Sequence, residues 1–196
     1  MIDILVIISL LLFYGLFIGR TVLLYKWGIK VVVIGVSAKK FAEKILEKIL
    51  LPVLALWSIF VIITACHLEL PGIISHNLVN ILWLKYLGLT ICYAGLIIFL
   101  LALLAMGKSW RIGLDETNTN ELVTTGIFKH TRNPIFVFLD LYFLGIMLIY
   151  PNIIFSLIAL GAVIGIHLQI LREEASLTKR FGEKYLKYKK AVRRYI

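Results

Sequence analysis

Long apolar runs separated by polar segments set the pattern of this chain. A helix of about 20 mostly apolar residues crosses a hydrocarbon core of about 30 Å. Ile4–Leu24 meets that length, with Arg20 near its end. It lacks a small-residue cleavage site, so it reads as a first span and not as a signal peptide. Ile49–Leu68 is a second span, with Pro52 tolerated in its first turn. Tyr86–Gly107 is a third, without a charge throughout. The run Ile135–Leu171 is too long for one crossing, and Tyr150-Pro151-Asn152 divides it where proline and asparagine favour a tight turn. Helices over 135–150 and 153–171 then form a hairpin. The first of them is only about 24 Å long at 1.5 Å per residue, so its start sits below the bilayer surface. The pattern predicts five spans.

Charge tests that number independently. The N-terminus has no Lys or Arg, whereas loop 25–48 has six: Lys26, Lys30, Lys39, Lys40, Lys44 and Lys48. Loop 69–85 has one, Lys85, and loop 108–134 has four: Lys108, Arg111, Lys129 and Arg132. The hairpin turn has none, and the tail from Arg172 onward has nine. Rich and poor segments alternate, as five spans and the positive-inside bias require. The N-terminus is expected outside, with the first and third loops and the tail in the cytoplasm.

Composition agrees. Of 196 residues, 61% are hydrophobic and 16% charged, at a mean hydropathy of +0.95. Soluble domains carry about 45–50% apolar and about 25% charged residues, so the fold class is all-α and integral to a membrane. The net charge of +10 belongs to span flanks and not to a nucleic-acid face, which needs a water-exposed scaffold. Cys66 and Cys92 lie in apolar runs without metal-ligand or redox spacing, so neither a disulfide framework nor a metal site is expected. Trp57, Trp83 and Trp110 read as interfacial belt residues. In the tail, Leu177, Phe181, Tyr185, Tyr188 and Val192 recur at helical spacing, with Lys179, Arg180, Lys184, Lys187 and Lys190 on the other faces. That amphipathic helix is either a lid over the cytoplasmic ends of the spans or an anchor on anionic lipid. The polar stretch Asp115–Thr125 is the one clearly water-loving loop.

Catalytic motifs of soluble enzymes are absent. Gly107-Lys108-Ser109 has the end of a phosphate-binding loop, but Ala102 stands where the first glycine belongs and no strand precedes it. The distinctive polar residues fall instead between Gly107 and Glu183. A run from Thr125 to Pro134 leads into span four, and span five ends His167-Leu168-Gln169-Ile170-Leu171-Arg172-Glu173-Glu174. The hairpin brings both segments to one membrane face, and a site there would gather His130, Arg132, Asn133, His167, Gln169, Arg172, Glu173 and Glu174. On a helix His167, Leu171 and Glu174 share a face. Arg132 and Arg172 also read as anchors that snorkel to headgroups. Two adjacent acids beside a helix C-terminus call for a nearby cation, from the protein or from a ligand. Asp140 lies inside span four, where a charge costs several kcal/mol unless paired, and its expected role is structural, pairing with Arg20 or staying protonated.

Leu122-Val123-Thr124-Thr125-Gly126-Ile127-Phe128, then Arg132-Asn133-Pro134-Ile135-Phe136, resembles the signature LVTxGxYxxxRHPxY of the isoprenylcysteine carboxyl methyltransferase family. Glu173-Glu174-Ala175-Ser176-Leu177, followed by Phe181 to Tyr188, resembles that family's close, EExxLxxxFGexYxxY. The resemblance covers about residues 105–193. The chain departs from it at Asn133, where histidine is usual, at Phe128 and Phe136, where tyrosine is common, and after Val192, where the family continues with a proline-containing close.

The resemblance implies S-adenosylmethionine as cofactor, S-adenosylhomocysteine as product, and a pocket built by the C-terminal spans and tail. Residues 1–107 then supply three spans, and 108–196 the cofactor-binding region of the same membrane domain. Matched position by position, the cofactor residues are Val123, Gly126, Arg132, Asn133, Pro134, Glu173 and Glu174. Local geometry adds His130 and Gln169, and the tail motif adds Tyr185 and Tyr188, which close over the pocket. Glu173 or Glu174 pairs with the cofactor's amino group, and Arg132 or Arg172 with a carboxylate. A prenylcysteine carboxylate needs no general base, so the enzyme's work is mainly alignment. The expected activity is a prenylcysteine O-methyltransferase, with Arg132, Arg172 and Glu174 as catalytic residues. Its lipophilic substrate enters from the bilayer among spans one, three and four, and the enzyme is expected to be a monomer in contact with membrane lipids. The alternatives are a phospholipid amine N-methyltransferase, with Glu174 as base, and an NADPH-dependent sterol-type reductase.

Overall fold

The computed structural model describes residues 1–29, 31, 41–68, 77–110 and 121–196. Six helices follow in order within them: α1 (Ile2–Lys26), α2 (Phe41–Ala65), α3 (Leu82–Met106), α4 (Pro134–Ile149), α5 (Ile153–Phe181) and α6 (Glu183–Ala191). Single 3₁₀ turns, Gly107–Ser109 and Gly126–Lys129, precede the fourth helix. No strand occurs among the described residues, which hold one parallel bridge, Thr131 with Arg193. Among the described residues, three helical stretches are long and apolar enough to cross a membrane: α1, α3 with its 3₁₀ extension, and α5. The apolar part of α2 from Pro52, and α4, are shorter. Lys30, Lys39, Lys40, Arg111 and the part of the polar loop before Glu121 lie outside the described residues.

The predicted hairpin is present. Pro134 opens α4 at the one place where proline's missing N–H costs nothing, because helix-start N–H groups have no partner within the helix. Asn152 caps α5 by accepting a hydrogen bond from the Phe155 amide at 2.9 Å. Past Leu171 the helix does not stop: Arg172 to Phe181 holds neither proline nor glycine, and α5 runs on until Gly182. There the backbone turns through φ +51°, a conformation that favours glycine, and α6 starts on a new axis. The predicted single stripe is therefore split. Leu177 and Phe181 belong to α5, Tyr185 and Tyr188 to α6, and Val192 is extended.

The core is aromatic. Phe13 of α1 lies 5.7 Å from Phe99 of α3 and 5.3 Å from Phe138 of α4, and these two stack at 4.7 Å (ring centroids). Buried hydroxyls are matched in pairs: Ser9 with Tyr142 at 2.8 Å, and Tyr14 with Ser58 at 2.8 Å. Two of the three expected belt tryptophans belong to this packing instead. Trp57 is buried against Tyr142 and Phe143, and Trp110 is buried edge-on to Phe17. Their large rings find aromatic partners inside the bundle, whereas Trp83 is exposed as expected.

Helices α3 and α4 touch through small residues. A Cβ at Gly145 would lie 2.5 Å from the Cys92 sulfur and 2.7 Å from the Gly88 carbonyl. Close approach of this kind is how apolar helices gain packing contacts where lipid offers no hydrophobic drive. Gly145→Val should therefore lower the Tm of the detergent-solubilised protein by the equivalent of about 1–3 kcal/mol or more. Gly161→Ala, at a position with open space, should leave it unchanged.

Candidate functional site

The site is built where the start of α4 meets the far end of α5. Gly126 opens the 3₁₀ turn at φ +61°, and a Cβ there would stand 3.0 Å from that of Ala105. The turn delivers Thr131, Arg132 and Asn133 directly before Pro134. Glu174 arrives from α5, and its side chain is only 2% exposed. A buried carboxylate requires partners, and this one has several. Arg132 Nη2 donates to Glu174 Oε1 at 2.8 Å, with the arginine side chain 7% exposed. Arg194 donates through Nε to Oε1 at 3.1 Å and through Nη2 to Oε2 at 3.0 Å. Lys189 Nζ stands 3.6 Å from Oε2, and Asn133 Nδ2 3.4 Å from Oε1. Burial opposes ionisation of Glu174, but the Arg194 hydrogen bonds and the two guanidinium charges outweigh it and hold the carboxyl below its usual range. It lies beyond the apolar stretch of α5, on the polar continuation after Leu171.

The end of the chain straps this cluster. Arg132 N–H donates to the Arg193 carbonyl at 3.0 Å, and Arg132 Nη1 donates to the carbonyls of Lys189 at 2.6 Å and Val192 at 3.1 Å. Thr131 Oγ1 and Asn133 Nδ2 both donate to the Arg194 carbonyl, at 3.1 and 3.2 Å. Tyr188 of α6 donates to the Phe128 carbonyl at 2.7 Å, and burial pushes its phenol up to about 12 against the pull of Arg132. Tyr195 meets His167 of α5, Oη to Nδ1 at 2.8 Å.

Of the residues expected from sequence, the structure gathers Arg132, Asn133 and Glu174 into one set of contacts, with Pro134 buried beside them and Tyr188 on the preceding turn. Tyr185 is buried in α6, with its hydroxyl enclosed and without a hydrogen-bond partner among the described residues. Glu173 is half-buried and outside the contacts described for Glu174. Val123 and Gln169 are half-buried, whereas His130 and Arg172 are exposed and take no part in the Glu174 cluster. The expected partner for Asp140 is elsewhere: Arg20 Nη2 donates to the Gly107 carbonyl at 2.5 Å. Sequence reasoning missed Thr131, Lys189, Arg194 and Tyr195. The signal for the last three was weak, because the tail departs from the family pattern after Val192 and its basic residues read as solvated faces.

A family profile described as phospholipid methyltransferase matches residues 83–184, just over half the chain. The chain belongs to the phospholipid methyltransferase family. The match takes in α3, the 3₁₀ turn, the Arg132-Asn133-Pro134 corner and Glu174. Among curated proteins, a protein-S-isoprenylcysteine O-methyltransferase of Xenopus laevis is 29% identical over 125 residues, 61% of this chain and 42% of the relative. This family member thus spans less than half the length of that relative. No solved structure matches. With three helices among its described residues long and apolar enough to cross a membrane, this member of the phospholipid methyltransferase family is an integral membrane protein.

Proposed function

We propose that the chain transfers a methyl group from S-adenosylmethionine to the carboxylate of a prenylcysteine-like lipid, forming a methyl ester. The observation that carries this reading is the buried carboxylate of Glu174, fixed by Arg132 and enclosed by the strap. The residues suit the cofactor. Glu174 is an anion for its amino group, while two donors beside it, Arg132 Nε and Tyr185 Oη, are enclosed without partners and suit a ligand with oxygen or nitrogen acceptors. When bound, the cofactor supplies an electrophilic methyl on a sulfonium.

The protein's part is binding and alignment. Arg132, bonded at once to Glu174, Lys189 and Val192, keeps its guanidinium plane fixed and holds the carboxylate in place. Lys189 and Arg194, at 40% and 31% side-chain exposure, are the outer neutralising cations, and a ligand ammonium takes their place on Glu174. Excluding water beneath the strap strengthens these contacts and pre-positions both reactants. The acceptor carboxylate is already nucleophilic, so no base is required.

In this reading α1 to α5 supply five spans with the N-terminus outside. The α6 helix lies on the cytoplasmic face as part of a lid, and the protein acts as a monomer. The acceptor enters sideways from the bilayer among α1, α3 and α4. A second reading, methylation of a phospholipid amine with Glu174 as base, is supported by the description of the matching family.

The test is incubation of the purified protein with methyl-labelled S-adenosylmethionine and a small S-farnesylcysteine. Base-labile label in the lipid is expected. Base-stable label in an added phosphatidylethanolamine would support the amine reading, and binding of NADPH without label transfer would support a reductase. Arg132→Ala should reduce transfer at least about 100-fold, because it strips a buried carboxylate of its innermost partner. Exposed Arg172→Ala should change it less than about 5-fold, as surface charges contribute little.

A further inference from the structure

A second polar group lies deeper in the hairpin than the Glu174 cluster. Asp140 is seven residues beyond Asn133 on α4, and His167 is seven residues before Glu174 on the antiparallel α5. At 1.5 Å per residue, both stand about 10 Å from the cluster on the membrane side. Tyr195 reaches the same level: its hydroxyl meets His167 Nδ1 at 2.8 Å, and the two rings lie nearly parallel, 14° apart. Burial and then the Asp140 charge raise the Tyr195 phenol, so the carboxylate is within electrostatic reach of the hydroxyl. Yet Asp140 Oδ1 is enclosed and has no hydrogen-bond partner among the described residues.

An enclosed carboxylate oxygen in an apolar span is unfavourable until a donor reaches it. The described protein groups do not supply one: no donor among them reaches Oδ1, and Arg20 directs its Nη2 to the Gly107 carbonyl instead. A lipid whose reacting end carries an N–H beside the methyl-accepting atom would supply it. Its greasy part would remain among the helices while its head lay under the Glu174 cluster.

Resting on the proposed methyl transfer, we propose that Asp140, at the depth of the Tyr195–His167 pair, is the headgroup end of the acceptor site and selects acceptors bearing an N–H donor. That donor is either the amide of an acylated prenylcysteine or the ammonium of an amino lipid. Asp140 acts on specificity by positioning the head, not on the methyl donor.

Paired acceptors test this with the full-length protein in nanodiscs. N-acetyl-S-farnesylcysteine and S-farnesylthiopropionic acid share the thioether and the carboxylate, and only the first has the amide N–H. Wild type should favour the first at least about 10-fold in kcat/KM, the size of a hydrogen bond to a charged group. Asp140→Leu, a residue well tolerated in a span, should bring the ratio to within about 2-fold. Asp140→Asn, which keeps a hydrogen-bond acceptor without the charge, should retain only part of the preference. Phosphatidylethanolamine in the same discs is the ammonium arm. If it is the lipid that becomes methylated, both Asp140 variants should raise its KM, since only the charge pairs with ammonium. S-adenosylhomocysteine affinity is read in parallel and should match wild type in both variants. Equal use of the paired acceptors by wild type, or a preference that survives Asp140→Leu, overturns the assignment. Bound S-adenosylhomocysteine with no N–H-bearing lipid methylated also overturns it while leaving the donor site standing. Absent S-adenosylhomocysteine binding instead removes the underlying methyltransferase reading.

Discussion

Glu174→Gln should abolish methyl transfer, by at least about 100-fold, while the protein still extracts as a monodisperse, helical species. The substitution is nearly isosteric, so packing is kept and the charge alone is lost. Glu174 is the shared counter-ion of Arg132, Arg194 and Lys189, and only Arg132 is buried as deeply as the carboxylate itself. Breaking a buried ion pair from one side typically costs about 3–5 kcal/mol, because the other charge is left enclosed. The neutral amide also offers no anion to a ligand ammonium. Steady-state turnover with labelled donor measures the loss, and circular dichroism checks the helices. Glu174→Asp, which keeps the charge on a shorter arm, should recover part of the activity. Wild-type turnover by Glu174→Gln would remove this carboxylate from the site.

Ending the chain at Ala191 should have an effect of similar size by a different route. The five residues removed, Val192 to Ile196, carry the carbonyls that receive Arg132, Thr131 and Asn133, the guanidinium on Glu174 and the phenol on His167. Without them the Arg132-Asn133-Pro134 corner keeps only its bonds to Glu174 and the Lys189 carbonyl and loses those to the strap, each such loss costing about 1–3 kcal/mol where the group stays buried. Activity should fall at least about 100-fold, and hydrogen exchange at the amides of 131–133 should accelerate. The α1 to α4 core should keep its protection, because its aromatic packing is remote from the strap. A truncated protein that turns over normally would show that the strap has no part in the site.

Helices α1 to α5 were largely legible in the sequence because each contains a long apolar run bounded by polar residues or a turn. The hairpin was legible from Tyr150-Pro151-Asn152, and the pairing of the α4 start with the α5 end follows from it. Asn152 even supplies its own cap. Where prediction failed, the deciding information was three-dimensional. Trp57 and Trp110 sit at positions that suit a headgroup belt, but aromatic partners on other helices draw them inward. The single amphipathic stripe continued across Gly182 on paper, whereas the positive φ there breaks the axis.

The candidate site divides in the same way. Arg132 and Glu174 were readable from motif spacing plus the hairpin. Arg194 and Tyr195 were not, since an extended C-terminal strap has no periodicity and its contacts lie at separations that no local pattern encodes. Asp140 was recognised as costly inside a span, but the Tyr195–His167 pair at its depth emerges only when the strap folds back along α5.

Equilibrium binding of S-adenosylhomocysteine to the purified wild-type protein and to Glu174→Gln, by calorimetry in one detergent, tests the central claim most directly. The account predicts saturable one-to-one binding by wild type and at least about a 100-fold weaker Kd for the variant. Equal affinity in the two proteins, or no binding by wild type, would contradict it.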